Sequence, residues 1–118
     1  MLIAGPLAAN GGGGAESGIN NKGQDGKAST SPAAGGSAQL NGGAQFTNAG
    51  GSGAAGTTVD GTRGEVVLAT SSGGGGGGAA GRIRIDTSTG SATVGMTAVV
   101  SPALTTSCAT QGTLISSP

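Results

Sequence analysis

The chain has 118 residues, of which 28 are glycine and 4 proline, with five basic and five acidic side chains and no histidine. Leu, Ile, Val, Phe and Met together number 20, and Phe46 is the only aromatic residue, which excludes a side-chain core of ordinary size. Zero net charge on a chain with only 8% charged residues excludes a nucleic-acid stripe, a polybasic membrane patch and an acidic tail, and it removes the repulsion that keeps copies apart.

The length suits one domain, 1–118, with a Gly/Ala/Ser/Asn-rich part over 1–64 and a strand-rich part over 65–118. Its apolar start, Met1-Leu2-Ile3-Ala4-Gly5-Pro6-Leu7-Ala8-Ala9, lacks the basic n-region of a signal peptide and is predicted as a strand over 2–8. No run approaches the ~18–20 apolar residues that span a bilayer. Residues 10–64 hold isolated apolar side chains at Ile19, Leu40, Phe46 and Val59 with no helical period, expected to pin long loops or thin extended runs onto the rest. Ala9-Asn10-Gly11-Gly12 recurs as Leu40-Asn41-Gly42-Gly43 and, more loosely, as Asn48-Ala49-Gly50-Gly51, and Asn-Gly is a turn dipeptide. No Gly-X-Y register persists, so collagen is excluded. The tracts 11–14 and 73–78 are either flexible loops or extended threefold helices that lie side by side and exchange backbone hydrogen bonds.

Further strands are predicted over 65–70, 82–87, 92–100 and 111–115. The strict alternation Arg82-Ile83-Arg84-Ile85-Asp86 places the two isoleucines on one face and the charges on the other. The fold expected from these elements is all-β: a glycine-rich irregular β-solenoid or sandwich with extended polyglycine segments, completed by neighbouring subunits.

Chemistry has little to work with. Without histidine, Ser–His and Cys–His pairs are impossible. Glu16, Asp25, Asp60, Glu65 and Asp86 share no motif and are expected to be solvated or paired with arginine. The tract 73–78 satisfies G-x-G-x-x-G formally, but a strand follows where a dinucleotide site needs a helix, and no Gly-Lys-Ser/Thr occurs. Residues 20–26 lack the alternating aspartates and terminal glutamate of a calcium loop. Cys108, the single cysteine, is expected to be a buried unreactive thiol or half of an intermolecular disulfide. Thr87 and Thr89 form one Thr-x-Thr pair, the unit of an ice-binding face, although strand propensity alone accounts for them. No catalytic residue, metal ligand or cofactor site is expected, nor a nucleic-acid partner.

The run Ser72-Gly73-Gly74-Gly75-Gly76-Gly77-Gly78-Ala79-Ala80-Gly81-Arg82-Ile83-Arg84-Ile85 resembles glycine-rich cell-surface and secreted proteins of Gram-negative bacteria, the myxobacterial types above all. There a polyglycine tract likewise leads into an Arg-Ile-Arg-Ile strand. Leu7-Ala8-Ala9-Asn10-Gly11-Gly12 is similar to the opening of such a unit, and the likeness covers residues 1–90. The resemblance implies export to the cell surface or beyond and a structural or adhesive role, with no catalytic residues.

The expected function is a structural subunit of an extracellular filament, sheath or matrix that self-assembles through backbone and strand pairing. Its partners would be copies of itself, a cell surface or a matrix. The alternative is a surface binding module, an adhesin or an ice-binding protein. Candidate assembly positions are Leu2, Ile3 and Leu7, for which no local hairpin partner is evident, Gly75 for close backbone packing, and Arg82, Arg84 and Asp86 for register between copies.

Overall fold

A chain with so few large side chains has to satisfy its backbone polar groups largely against backbone. The computed structural model, which describes residues 1–68 and 72–115, does this with six extended segments and eight short strands. The segments span residues 9–17 (I), 21–27 (II), 33–39 (III), 47–55 (IV), 59–66 (V) and 74–81 (VI), and successive segments run in opposite directions.

Their hydrogen bonds recur every third residue. Gly11, Gly14 and Ser17 of segment I donate to the carbonyls of Ala54, Gly51 and Asn48 in segment IV at 2.8–3.0 Å. Gly75, Gly78 and Gly81 of segment VI donate to Ala15, Gly12 and Ala9, and Gly74, Gly77 and Ala80 to Glu65, Thr62 and Val59. A β-ladder repeats every second residue; a period of three belongs to the left-handed extended helix, which has three residues per turn and no internal hydrogen bonds. The contacts also fix the lattice. Segment I bonds to II, III, IV and VI, segment IV to I, III, V and VI, whereas II reaches only I and III, and V only IV and VI. The segments therefore form two staggered rows, II–I–VI over III–IV–V.

Chains can lie this close only where no Cβ intervenes. A Cβ added at Gly50 or Gly53 would fall within 3.0 Å of the Gly14 or Gly11 carbonyl, both backbone atoms that cannot swing aside. The same three-residue spacing recurs in Gly11/Gly14, Gly23/Gly26, Gly61/Gly64 and Gly74/Gly77, each facing a neighbour's backbone this closely.

The strands sit at the two ends of this bundle. At one end β1 (Leu2–Ile3) and β2 (Leu7–Ala8) lead into segment I, and segment VI runs into β5 (Ile83–Thr87). Here β1 pairs with β6 (Thr93–Val94), β2 with β7 (Val100–Ser101) and β5 with β8 (Ala109–Thr113), all parallel. Ile83, Ile85 and Ala109 are buried with Ile3, Ala9, Ala92, Val100 and Leu104 packed around them, a small conventional core that caps the bundle. At the other end β3 (Leu40–Asn41) and β4 (Ala44–Gln45) form an antiparallel hairpin. Its turn needs positive φ at both central residues, 58° at Gly42 and 87° at Gly43, the two-residue type I′ geometry. The body measures 67 × 27 × 19 Å with a radius of gyration of 18.3 Å, against about 13–14 Å for a compact domain of this length.

Several expectations are corrected. The fold is neither an irregular β-solenoid nor a β-sandwich: no coil repeats, and every sheet has only two strands. The reason is that most extended chain here follows a threefold period, which cannot enter a β-ladder. The strand expected over 2–8 is broken at 4–6, that over 92–100 shrinks to two short pieces, and that over 111–115 begins earlier and ends at Thr113. Residues 65–68 form no strand, and residues 69–70 of that expectation lie outside the described residues. The compositional boundary between 64 and 65 falls inside segment V. Ile19, Leu40 and Phe46 do not pin loops; they are 94%, 66% and 48% exposed.

Substitution separates the two kinds of glycine. Gly53→Ala is expected to abolish cooperative thermal unfolding. Gly76→Ala, where the nearest foreign atom lies 3.9 Å from the added Cβ, should shift stability by no more than about 0.5 kcal/mol. A Gly53→Ala protein that melts like the parent would remove close backbone packing as the basis of the fold.

Candidate functional surfaces

Because the segments are nearly featureless, polar side chains at their ends decide which turn meets which segment. Asn10, at the start of segment I, donates through Nδ2 to the carbonyls of Lys27 (2.5 Å) and Ser29 (2.7 Å), which hold the turn between II and III. Its Oδ1 accepts from Ser101 Oγ at 2.5 Å, and Ser101 Oγ in turn accepts from the Gly56 amide at 2.7 Å. Asn10 and Ser101 thus tie the bundle to its β cap. At the opposite end Asn48, fully buried, exchanges bonds with Ser17, accepts from the amides of Val67 and Leu68, and donates to the Ser72 carbonyl at 2.9 Å.

Glu16 is the buried charge of this second end, 4% exposed. Its Oε1 accepts from the amides of Asn20 and Asn21, each at 3.1 Å, and from Gln39 Nε2, while Oε2 accepts from Thr47 Oγ1 at 2.5 Å. One carboxylate therefore fastens the turn between I and II, the end of III and the start of IV. The Thr47 hydroxyl does most to hold this carboxyl below its ordinary value of 4.5, desolvation pulls the other way, and the Asn21 and Asn20 amides and Gln39 lower it further.

The sequence-predicted assembly residues take different places. Leu2 and Leu7 lie in β1 and β2, whose partners β6 and β7 belong to the same chain; neither strand has a local hairpin partner, and both pair with distant segments. That pairing is parallel and spans about 90 residues of sequence, which a search for a local hairpin cannot find. Ile3 packs against the cap core, while Leu2 and Leu7 stay exposed. Gly75, in segment VI, lies against segment I, where an added Cβ would meet the Ala15 amide nitrogen at 3.2 Å, a looser contact than those of Gly74 and Gly77. Arg84 and Asp86 bridge each other along β5 at 2.9 Å above Gly112, and Arg82 is exposed without an ion pair among the described residues. Thr87 is buried and donates to the Ser91 carbonyl at 2.9 Å, so Thr87 and Thr89 do not make a flat exposed pair.

Among the described residues no group of three acidic, cysteine or histidine side chains could hold a metal ion, and no helix is long and apolar enough to cross a membrane. A cavity of about 380 Å³ is lined by the consecutive residues Arg63, Gly64, Glu65, Val66 and Val67, with no convergence of polar groups from other segments. What stands out is the placement of large exposed apolar side chains. Ile19, Leu40, Phe46, Val66 and Val67 crowd the Glu16–Asn48 end; Met1, Leu2, Leu7, Val94, Met96, Leu114 and Ile115 surround the β cap. Among the described residues none lies on the sides of the bundle.

Sequence reasoning missed the three clamps and the apolar tip. Two signals for them were present: glycines three apart in five of the six segments, and an asparagine opening the glycine-rich stretches at 10 and 48.

Glu16 makes the tip sensitive to acid. Its folded-state pKa lies below the unfolded value, so its stabilisation is complete above pH 4.5 and is lost as pH falls through the lower, folded value. The protection of the Asn20, Asn21 and Gln39 amides, measured relative to their intrinsic exchange rates, is expected to fall on acidification below pH 4.5 before that of the β cap does, and Glu16→Gln should abolish that pH dependence. Simultaneous loosening of both ends would show that Glu16 does not control the tip. Compared with known proteins, the chain matches no family model, and neither a curated protein nor a solved structure gives a significant match.

Proposed function

We propose that this chain is a structural subunit of an extracellular filament, sheath or matrix, and that copies join end to end. The observation that carries this reading is the segregation of large exposed apolar side chains to the two ends of a 67 Å body whose sides carry glycine, alanine, polar and charged residues. An apolar patch at each end that differs in composition from its opposite is suited to a heterologous, head-to-tail contact, which propagates when its rotation does not close a ring. A net charge of zero offers no long-range repulsion to such chains. Extracellular placement follows from the resemblance of residues 72–85 to exported glycine-rich proteins.

Complementary end variants test the reading. Phe46→Asp leaves the cap intact and spoils the tip; Leu2→Asp does the reverse. Negative-stain images of the parent should show linear polymers, each variant alone should remain monomeric in light scattering, and a mixture of the two should stop at dimers. A parent that stays monomeric at millimolar concentration would reject the filament and leave a monomeric surface binding module as the better reading.

A further inference from the structure

The two rows of the bundle treat their outward amides differently. In row III–IV–V the outward amides of segment IV are taken by side chains: Ala49 donates to Glu65 Oε2 at 3.2 Å and Ser52 to Thr62 Oγ1 at 2.7 Å. In row II–I–VI the corresponding amides belong to Gly12, Ala15, Gly76 and Ala79, and no acceptor among the described residues takes them. Their direction follows from the peptide plane. The carbonyls of Gly14, Gly75 and Gly78 accept from Gly36, Gly51 and Ala54 inside the bundle, so the trans N–H groups of Ala15, Gly76 and Ala79 point away from it. Ala15, Gly76 and Ala79 are exposed. This face therefore carries donors without acceptors, repeating every third residue, or about 9 Å at a rise of ~3.1 Å, with no side chain larger than a methyl group beside them.

We infer that this face, along the groove between segments I and VI, binds an extended polyproline-II peptide strand of the Pro-Pro-Gly type. Such a strand has the same threefold period, so one carbonyl in three meets the donor rows in register. Proline has no N–H, so no donor is left facing a donor, and its ring holds the extended form before binding. Glycine at each third position lets the backbones approach as they do inside the bundle. A second copy of this chain is a poor occupant. Its matching face also offers donors only, and its edge segments carry Lys22, Gln24, Lys27, Asp60, Arg63 and Glu65.

The test is amide-resolved NMR of the full chain titrated with a short peptide of three Pro-Pro-Gly triplets. The amides of Gly12, Ala15, Gly76 and Ala79 are expected to shift together, with their hydrogen exchange slowed about tenfold at saturation. The variant Gly78→Leu, whose added Cβ would lie 3.4 Å from the Gly12 amide nitrogen, fills the groove at an exposed position; it should keep the parent's amide dispersion and lose the response, and Ala15→Leu should weaken it independently. Absence of a selective shift at millimolar peptide would overturn the proposal, as would an equal response in the Gly78→Leu variant. Stronger protection of the same amides by soluble dextran than by the peptide would reassign the face to a glycan and overturn it equally.

Discussion

Everything in this molecule depends on one contact, the backbone N–H···O=C bond made between extended chains at every third residue. Segment I makes it with four neighbours and segment IV with four, through separations that leave no room for a Cβ at positions such as Gly50 and Gly53. Glycine thus acts here as a packing residue, although it also loses the most conformational entropy on ordering. The bundle offsets that loss with hydrogen bonds and close backbone contacts in place of apolar burial.

A scaffold of identical contacts has little to specify which segment lies next to which. The polar clamps supply that information. Asn10, Glu16 and Asn48 each bond groups from two or more parts of the chain, and each is positioned where a segment begins or ends. A buried carboxylate with four donors is a strong device for this purpose, because losing any one donor leaves a charged acceptor short of a partner. The small core around Ile83 and Ile85 closes the other end and joins the two chain-distant parts through parallel pairs.

The surface follows from the interior. Since glycine and alanine fill segments I and VI, the large apolar side chains collect at the tip and the cap, and the flank along those two segments is left as plain backbone. That division separates two kinds of interaction: apolar contacts along the long axis, and hydrogen bonding by exposed amides across one flank. The edge segments are protected from the second kind by their long charged and amide side chains, much as edge strands are in sheets.

The sequence by itself determined that no ordinary core exists, that a strand lies over 82–87 with both isoleucines on one face, that Asn41-Gly42 marks a turn, and that glycine tracts such as 11–14 and 73–78 can pair as threefold helices. Each of these is encoded locally, by alternation, by the φ that glycine permits, or by composition. The neighbours of each segment, the parallel pairing of Leu2 with Thr93 and Leu7 with Val100, and the gathering of Ile19, Leu40, Phe46, Val66 and Val67 at one tip were decided only by the tertiary structure. The physical reason is that a glycine segment carries the same donor and acceptor at every residue, so its own sequence favours no partner. Partner and register are set where Asn10, Glu16, Asn48 and the β cap hold the ends, and the contacts of those three side chains join residues 17 to 91 positions apart along the chain, save the two Glu16 makes within its own turn.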